Sequence, residues 1–237
     1  MSRIRALVFD LYGTLIDIQT NEWKDEIFRF ISRFLGYYGM EITPEEIRVR
    51  LDLEIDRVKK SSKENYPEVD LVEVFERALF KEQFIARSFV EAIVKIHRIL
   101  SIDWIRLFPD TLDVLRELKR RGYRMAVLSD AQRSFAYAEM RQFNLDTFFD
   151  YIIFSTEFGF KKPDLRLFRM ISVILDVPLG EILYIGDSIR RDLFGAKMAG
   201  MKMVLVRTNM PDDLSVKPDF YSPDLRGLLG FLDSLGG

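Results

Sequence analysis

The chain has 237 residues, enough for one α/β domain with a smaller insert, and 48% of them are hydrophobic. Its formal net charge is -2, so no basic field marks it for nucleic acid, and no run reaches the roughly 18 apolar residues of a membrane span. Cysteine is absent and histidine occurs once, which excludes disulfides, thiol nucleophiles, thiolate metal sites and multi-histidine zinc sites. Chemistry here has to run on carboxylates, hydroxyls, Lys and Arg, with a hard metal held by oxygen as the compatible ion. Met1 to Arg5 carry no signal-peptide pattern, so a cytoplasmic protein is expected. A charged fraction of 30% without cysteine also resembles the composition of thermophile proteins.

Ala6-Leu7-Val8-Phe9 is an apolar run that predicts a buried strand over about 4–10. Asp10 stands at its mouth, followed by Leu11-Tyr12-Gly13-Thr14. A carboxylate there is costly unless it is used. No strand character follows for a long stretch. Trp23, Ile27, Phe28, Phe30, Ile31, Phe34 and Leu35 recur mostly at helical spacing over 21–38. Thr43-Pro44-Glu45-Glu46 is a helix start, with Thr as N-cap, Pro at the first helical position and Glu placed to close a capping box. Ile47, Leu51, Ile55 and Val58 continue that helix, 61–67 reads as a loop, and helical patterns resume over 69–81 and 83–100. Residues 18–104 are therefore expected to form an all-helical insert, with residues 1–17 and 105–237 making the main domain. The single histidine, His97, sits in the last insert helix, where a structural role is expected. The insert aromatics Trp23, Phe28, Phe34, Tyr37 and Phe84 are expected to be mostly core.

After residue 104 strands and helices alternate. Helices are expected over 110–121 (closed by Gly122), 133–143, 164–176, 189–199 (closed by Gly200) and 224–235. Strands are expected at 124–129, 151–155, 182–186 and 203–206, with a short last one at 219–221. This alternation means an α/β fold, a parallel sheet with helices on both faces. Ligands in such sheets bind at the carboxyl ends of the strands. Asp10 and Tyr12, Ser129 and Asp130, Lys161 and Lys162, and Asp187 and Ser188 all fall at those ends. Ionisable groups from four distant segments thus converge on one rim.

Taken together, the four segments resemble the motifs of the haloacid dehalogenase-like hydrolase superfamily. Asp10-Leu11-Tyr12-Gly13-Thr14-Leu15 is similar to its first motif, Leu128-Ser129-Asp130 to the second, Lys162-Pro163-Asp164 to the third, and Gly186-Asp187-Ser188 with Asp192 to the fourth. The resemblance implies a Rossmann-like core carrying the helical insert as a cap. It implies that Asp10 is the nucleophile of a covalent aspartyl intermediate. Thr14 is then expected to orient the Asp10 region, Tyr12, Ser129, Asp130 and Lys162 to contact substrate, and Lys162 also to neutralise charge on the nucleophile and the transferring group. Asp187, the Asp10 carboxylate and the main-chain carbonyl of Tyr12 would bind Mg2+, with Asp192 and Ser188 supporting from behind.

Position 12 departs from the phosphatases of that superfamily, which usually carry a second Asp there as acid and base. A phenol of ordinary pKa about 10 is a poor base at neutral pH. Tyr at this position resembles the L-2-haloacid dehalogenases, whose halide leaves without a proton. Asp187 and Asp192 point the other way, to a metal-dependent phosphatase. The leading expectation is a Mg2+-dependent phosphatase acting on a small anionic phosphorylated metabolite. Metal-independent hydrolysis of a 2-haloacid is the first alternative, and a non-catalytic binder of phosphorylated ligands the second.

Overall fold

The computed structural model describes residues 3–81, 85–211 and 213–236, so Phe84 lies outside the described residues. Its main sheet has six strands in the order β5-β4-β1-β6-β7-β8. These are β1 (Ala6–Phe9), β4 (Arg124–Ser129), β5 (Tyr151–Phe154), β6 (Ile182–Gly186), β7 (Lys202–Val206) and β8 (Phe220–Ser222), and every neighbouring pair is parallel. β1 lies between β4 and β6, with Phe9 opposite Val127 on one side and Ile185 on the other. The chain first extends the sheet outward through β4 and β5, then crosses back to β6. That reversal puts the carboxyl ends of β1, β4 and β6 side by side.

β1 is apolar throughout because both of its faces are covered. Leu7 and Phe9 pack into one buried cluster, Ala6 and Val8 into the other. α5 (Thr111–Arg120) and α9 (Gly227–Ser234) contribute to the first cluster, α7 (Leu165–Leu175) and α8 (Phe194–Ala199) to the second. α6 (Arg133–Gln142) also joins the first. Helices on both faces of a parallel sheet are what the strand–helix alternation predicts.

Four helices lie between β1 and α5: α1 (Asp25–Tyr37), α2 (Pro44–Ser61), α3 (Leu71–Phe80) and α4 (Arg87–Ser101). α1 buries Ile27, Phe28, Ile31 and Leu35 as one stripe. α2 starts as expected: Thr43 accepts from the Glu46 N–H at 3.2 Å, and the Glu46 carboxylate accepts from the Thr43 N–H at 2.9 Å. Of the aromatics expected in the core, Phe28 is buried, but Trp23 is exposed and Tyr37 is 86% exposed. Among the described residues no helix is long and apolar enough to cross a membrane.

Two expectations are corrected. The insert is not bounded by helix alone: β2 (Ile16–Thr20) and β3 (Ile102–Leu107) form a separate antiparallel ribbon at its root, with Ile18 opposite Ile105. Each strand is too short and too exposed to show a clear period, and only pairing with a partner far along the chain makes it a strand. The helix expected over 189–199 is also not uniform. Its first turn is widened, with the Leu193 N–H bonding the Ser188 carbonyl at 3.0 Å, and the ordinary helix begins only at Phe194. Such wide turns tend to occur where a side chain must be re-aimed, and here the side chain is Asp192.

Candidate active site

Asp10 extends the ladder of β1 by one bond, its N–H donating to the Ile185 carbonyl at 2.9 Å. The chain then turns sharply at Gly13, whose φ of +82° favours glycine. A Cβ there would also lie 2.5 Å from Asp187 Oδ2, so the backbone of this turn forms one wall of the Asp187 pocket. Ser129 ends the neighbouring β4, and its Oγ accepts from the Ala131 N–H at 3.3 Å. Asp130 Oδ1 accepts from the Lys162 N–H at 3.0 Å, which ties the loop after β5 to the end of β4.

Lys162 is buried at the centre. Its Nζ lies 2.8 Å from Asp10 Oδ1 and 2.7 Å from Asp192 Oδ1. The Tyr184 hydroxyl at 3.0 Å and the Leu128 carbonyl at 3.3 Å complete its shell. Burial works against its charge, but Asp10 and Asp192 outweigh burial and hold the ammonium well above the usual lysine range. Tyr184 was not singled out in the sequence, because one tyrosine in an apolar strand reads as core. Its hydroxyl donates to the Leu128 carbonyl at 3.0 Å and lies 3.1 Å from Asp192 Oδ1.

Asp192 uses both of its oxygens, Oδ1 on Lys162 and Oδ2 on the Ser188 N–H at 3.0 Å. Asp187 accepts a single hydrogen bond among the described residues, from Thr14 Oγ1 at 3.2 Å. Thr14 therefore orients Asp187 rather than Asp10 in this arrangement. Burial, with Asp10 and then Asp192 nearby, pushes the Asp187 carboxyl up to about 7. Oxygens of Asp10, Asp187 and Asp192 lie within 4.8 Å of one another. Asp10 and Asp192 are buried and Asp187 is half-buried, and Arg191 joins Lys162 as a cation in their field. The Asp187 carboxyl is nonetheless pushed up, so three clustered carboxylate oxygens still fit a hard divalent cation. Ser188 behaves as a helix cap, its Oγ accepting from the Arg191 N–H at 3.2 Å.

Tyr12 is corrected more sharply. The sequence reading places Tyr12 at the substrate as a weak acid–base group. Its phenol instead donates to the Glu139 carboxylate on α6, and Arg98 on α4 closes the set. Arg98 Nε reaches Glu139 Oε1 at 2.8 Å and Nη2 reaches Oε2 at 3.0 Å. The guanidinium also lies 5.3 Å from the Tyr12 ring centre and 4.4 Å from that of Phe135. Burial, then Glu139, pushes the Tyr12 hydroxyl far above its ordinary value, so it keeps its proton. Glu139 and Arg98 were missed because single charges in helices read as solvated. Both are in fact buried, at 9% and 8% exposure. Arg98→Ala leaves Glu139 charged and unpaired, and is expected to lower stability by about 3 kcal/mol in urea unfolding. An unchanged unfolding midpoint would show that the pair contributes nothing net.

Tyr12, Asp130, His97, Arg98, Gln132 and Phe135 line a cleft of about 300 Å³ between the sheet rim and α4. His97 keeps the structural role expected of it: Nε2 meets the Glu22 carbonyl at 3.1 Å, the ring packs against Phe75 and Phe28, and burial lowers its pKa.

A family model described as haloacid dehalogenase-like hydrolase matches residues 7–206. A phosphoserine phosphatase of Thermus thermophilus is 33% identical over 121 residues, which are 51% of this chain and 49% of that protein. The chain thus spans about half the length of that relative in the match. A glyceraldehyde 3-phosphate phosphatase of Methanopyrus kandleri is 24% identical over 221 residues, 93% of this chain and 91% of that one. A 2-haloacid dehalogenase structure from Pseudomonas syringae pv. Tomato superposes with a TM-score of 0.74 at 18% identity, covering 98% and 99% of the two chains. At that identity the likeness is one of fold.

Proposed function

The chain belongs to the haloacid dehalogenase-like hydrolases, and from that premise we propose that it is a Mg2+-dependent phosphatase acting on a small phosphorylated metabolite. The observation that carries this reading is the cluster of Asp10, Asp187 and Asp192 oxygens within 4.8 Å of one another, with the Lys162 ammonium bridging Asp10 and Asp192. A haloacid, with one negative charge, gives such a surplus of carboxylates nothing to do. A phosphoryl group with an ion beside it does. Two relatives named as phosphatases, of phosphoserine and of glyceraldehyde 3-phosphate, lend support to the substrate class.

Asp10 attacks phosphorus in line with the leaving oxygen, and the resulting aspartyl phosphate is hydrolysed by water. Lys162 holds the Asp10 carboxylate in one orientation and stabilises charge on the transferring oxygens. Asp187 and Asp10, with the carbonyl of residue 12, are the groups that would hold Mg2+, while Asp192 fixes Lys162. Bound there, the ion neutralises phosphoryl oxygens and lets a dianion approach a carboxylate. Ser129 is placed at the neighbouring strand end to donate to a phosphoryl oxygen.

The test is phosphate release from p-nitrophenyl phosphate with MgCl2. Removal of divalent ions by EDTA is expected to cost at least about a hundredfold in rate, reversibly. Chloride release from 2-chloropropionate without metal, and no phosphatase activity, would overturn the proposal in favour of a dehalogenase. Binding of phosphorylated ligands with neither activity would make the chain a binder.

A further inference from the structure

We propose that Asp130 is the proton donor and acceptor of this site, taking the acid–base role that Tyr12 cannot fill. The proposal rests on the phosphatase reading above and adds a residue to it. Four observations support it.

β1 and β4 are neighbouring parallel strands with Phe9 opposite Val127, so Asp10 and the Ser129–Asp130 pair leave the sheet at the same edge. Tyr12, two residues after the nucleophile, and Asp130 line the same cleft of about 300 Å³. The Tyr12 phenol is committed as a donor to Glu139 and stands outside proton transfer. Finally, the Asp130 carboxyl is fixed through one oxygen and not through the other. Oδ1 accepts the Lys162 N–H at 3.0 Å, whereas Oδ2 is shielded from solvent and has no hydrogen-bond partner among the described residues.

An unpartnered buried carboxylate oxygen loses the hydrogen bonds that water would give it, and calls for an explanation. A purely structural role would be served by Oδ1 alone, and an asparagine would supply it equally. A leaving-group oxygen entering the cleft gives Oδ2 its partner. The charges around Asp130 agree with an acid. Burial raises its pKa, Lys162 lowers it, and Asp10 and Glu68 raise it again, with Arg191 as a further cation in its field. The balance is upward, so Asp130 holds a proton more readily than an exposed aspartate.

An Asp10 oxygen forms a bond to phosphorus, the phosphorus–oxygen bond to the leaving group breaks, and its electron pair takes the proton from Asp130 Oδ2. The Asp130 carboxylate then removes a proton from the water that attacks the aspartyl phosphate. The phosphorus–Asp10 bond breaks, leaving the Asp10 carboxylate, inorganic phosphate and a reprotonated Asp130. The sum is ester plus water to alcohol plus phosphate.

The test compares an alkyl ester, glycerol 1-phosphate, with 2,4-dinitrophenyl phosphate, whose leaving group needs no proton. Asp130→Asn keeps an oxygen for the Lys162 N–H. It is expected to lose about a hundredfold or more in kcat/KM on the alkyl ester. On the dinitrophenyl ester the first turnover should fall less than about tenfold, and a burst of dinitrophenolate equal to the enzyme should appear, because the second step lacks its base. A structural role would not produce a burst. Equal losses on both esters without a burst would overturn the proposal, and so would full activity on glycerol 1-phosphate. Formate restoring alkyl-ester turnover to Asp130→Ala gives a second reading, and failure of formate where that variant is folded counts against it. In kcat/KM, which reports the steps through leaving-group departure, the unaltered enzyme should show a solvent deuterium isotope effect with the alkyl ester and none with the dinitrophenyl ester, and the reverse order would overturn it. Asp10→Asn separates the two claims. If Asp10→Asn keeps turnover, the phosphatase mechanism itself fails. If Asp10→Asn is inactive while Asp130→Asn is indifferent to the leaving group, the role of Asp130 alone fails.

Discussion

Asp10→Asn should be folded and inert. An amide oxygen is a far weaker nucleophile than a carboxylate, and the covalent step has no substitute in the site. Single replacements of a nucleophile in groups that act as a unit cost orders of magnitude, so at least about 10⁴-fold loss of phosphate release is expected. Stability should change in the opposite sense to activity. Asp10 is one of three carboxylates whose oxygens lie within 4.8 Å of one another, and it raises the pKa of both Asp187 and Asp192. Removing its charge relieves that repulsion, while Asp192 still holds Lys162 at 2.7 Å. Thermal unfolding of the metal-free variant at neutral pH should therefore lie at or above that of the parent chain. Residual turnover near the parental rate would end the nucleophile assignment, and a large fall in unfolding temperature would show that the carboxylates do not repel as described.

Lys162→Met is expected to be the most disruptive single change. The ammonium is wholly buried and bridges Asp10 at 2.8 Å and Asp192 at 2.7 Å. Methionine fills a similar volume but supplies no charge, so buried carboxylates lose their common partner. Breaking a buried ion pair from one side costs about 3–5 kcal/mol, a large part of the stability of an ordinary domain. The Tyr184 hydroxyl and the Leu128 carbonyl would lose a donor as well. The variant should unfold at markedly lower urea concentration, and its phosphate release should fall by at least about a thousandfold. An unchanged urea midpoint would mean that Asp192 or Asp187 takes up a proton at little cost, and the charge balance drawn for the site would have to be revised.

Much of this arrangement was legible in the sequence. Asp10, Ser129, Lys162 and Asp187 could be placed on one rim because the apolar runs preceding them read as strands and the helices between them had clear caps. The Thr43–Glu46 capping box was legible for the same reason: its partners are three residues apart and both belong to one turn. β2 and β3 were not legible, since five or six half-exposed residues have no period of their own and gain strand geometry only from each other. The wide turn at Ile189 to Leu193 was read as ordinary helix because its apolar spacing is nearly that of one. Trp23 and Tyr37 were misread as core for lack of any signal separating an exposed aromatic from a buried one in an aromatic-rich helix.

The sequence by itself determined the order of the main-sheet strands and of the helices between them, the position of each chemical group at a strand end, and membership in a family of hydrolases. Those properties follow from local periodicity and short motifs. Tertiary structure alone decided what surrounds each group. Tyr12 looked like a weakened acid until its phenol was found on Glu139, 127 residues along the chain, with Arg98 of a different helix completing the pair. Asp130 read as one more substrate contact beside Ser129 until one oxygen was found held by the Lys162 backbone and the other without a partner among the described residues. Hydrogen-bond satisfaction and burial are properties of what packs against a side chain. They are created when distant segments meet, and no spacing within a segment encodes them.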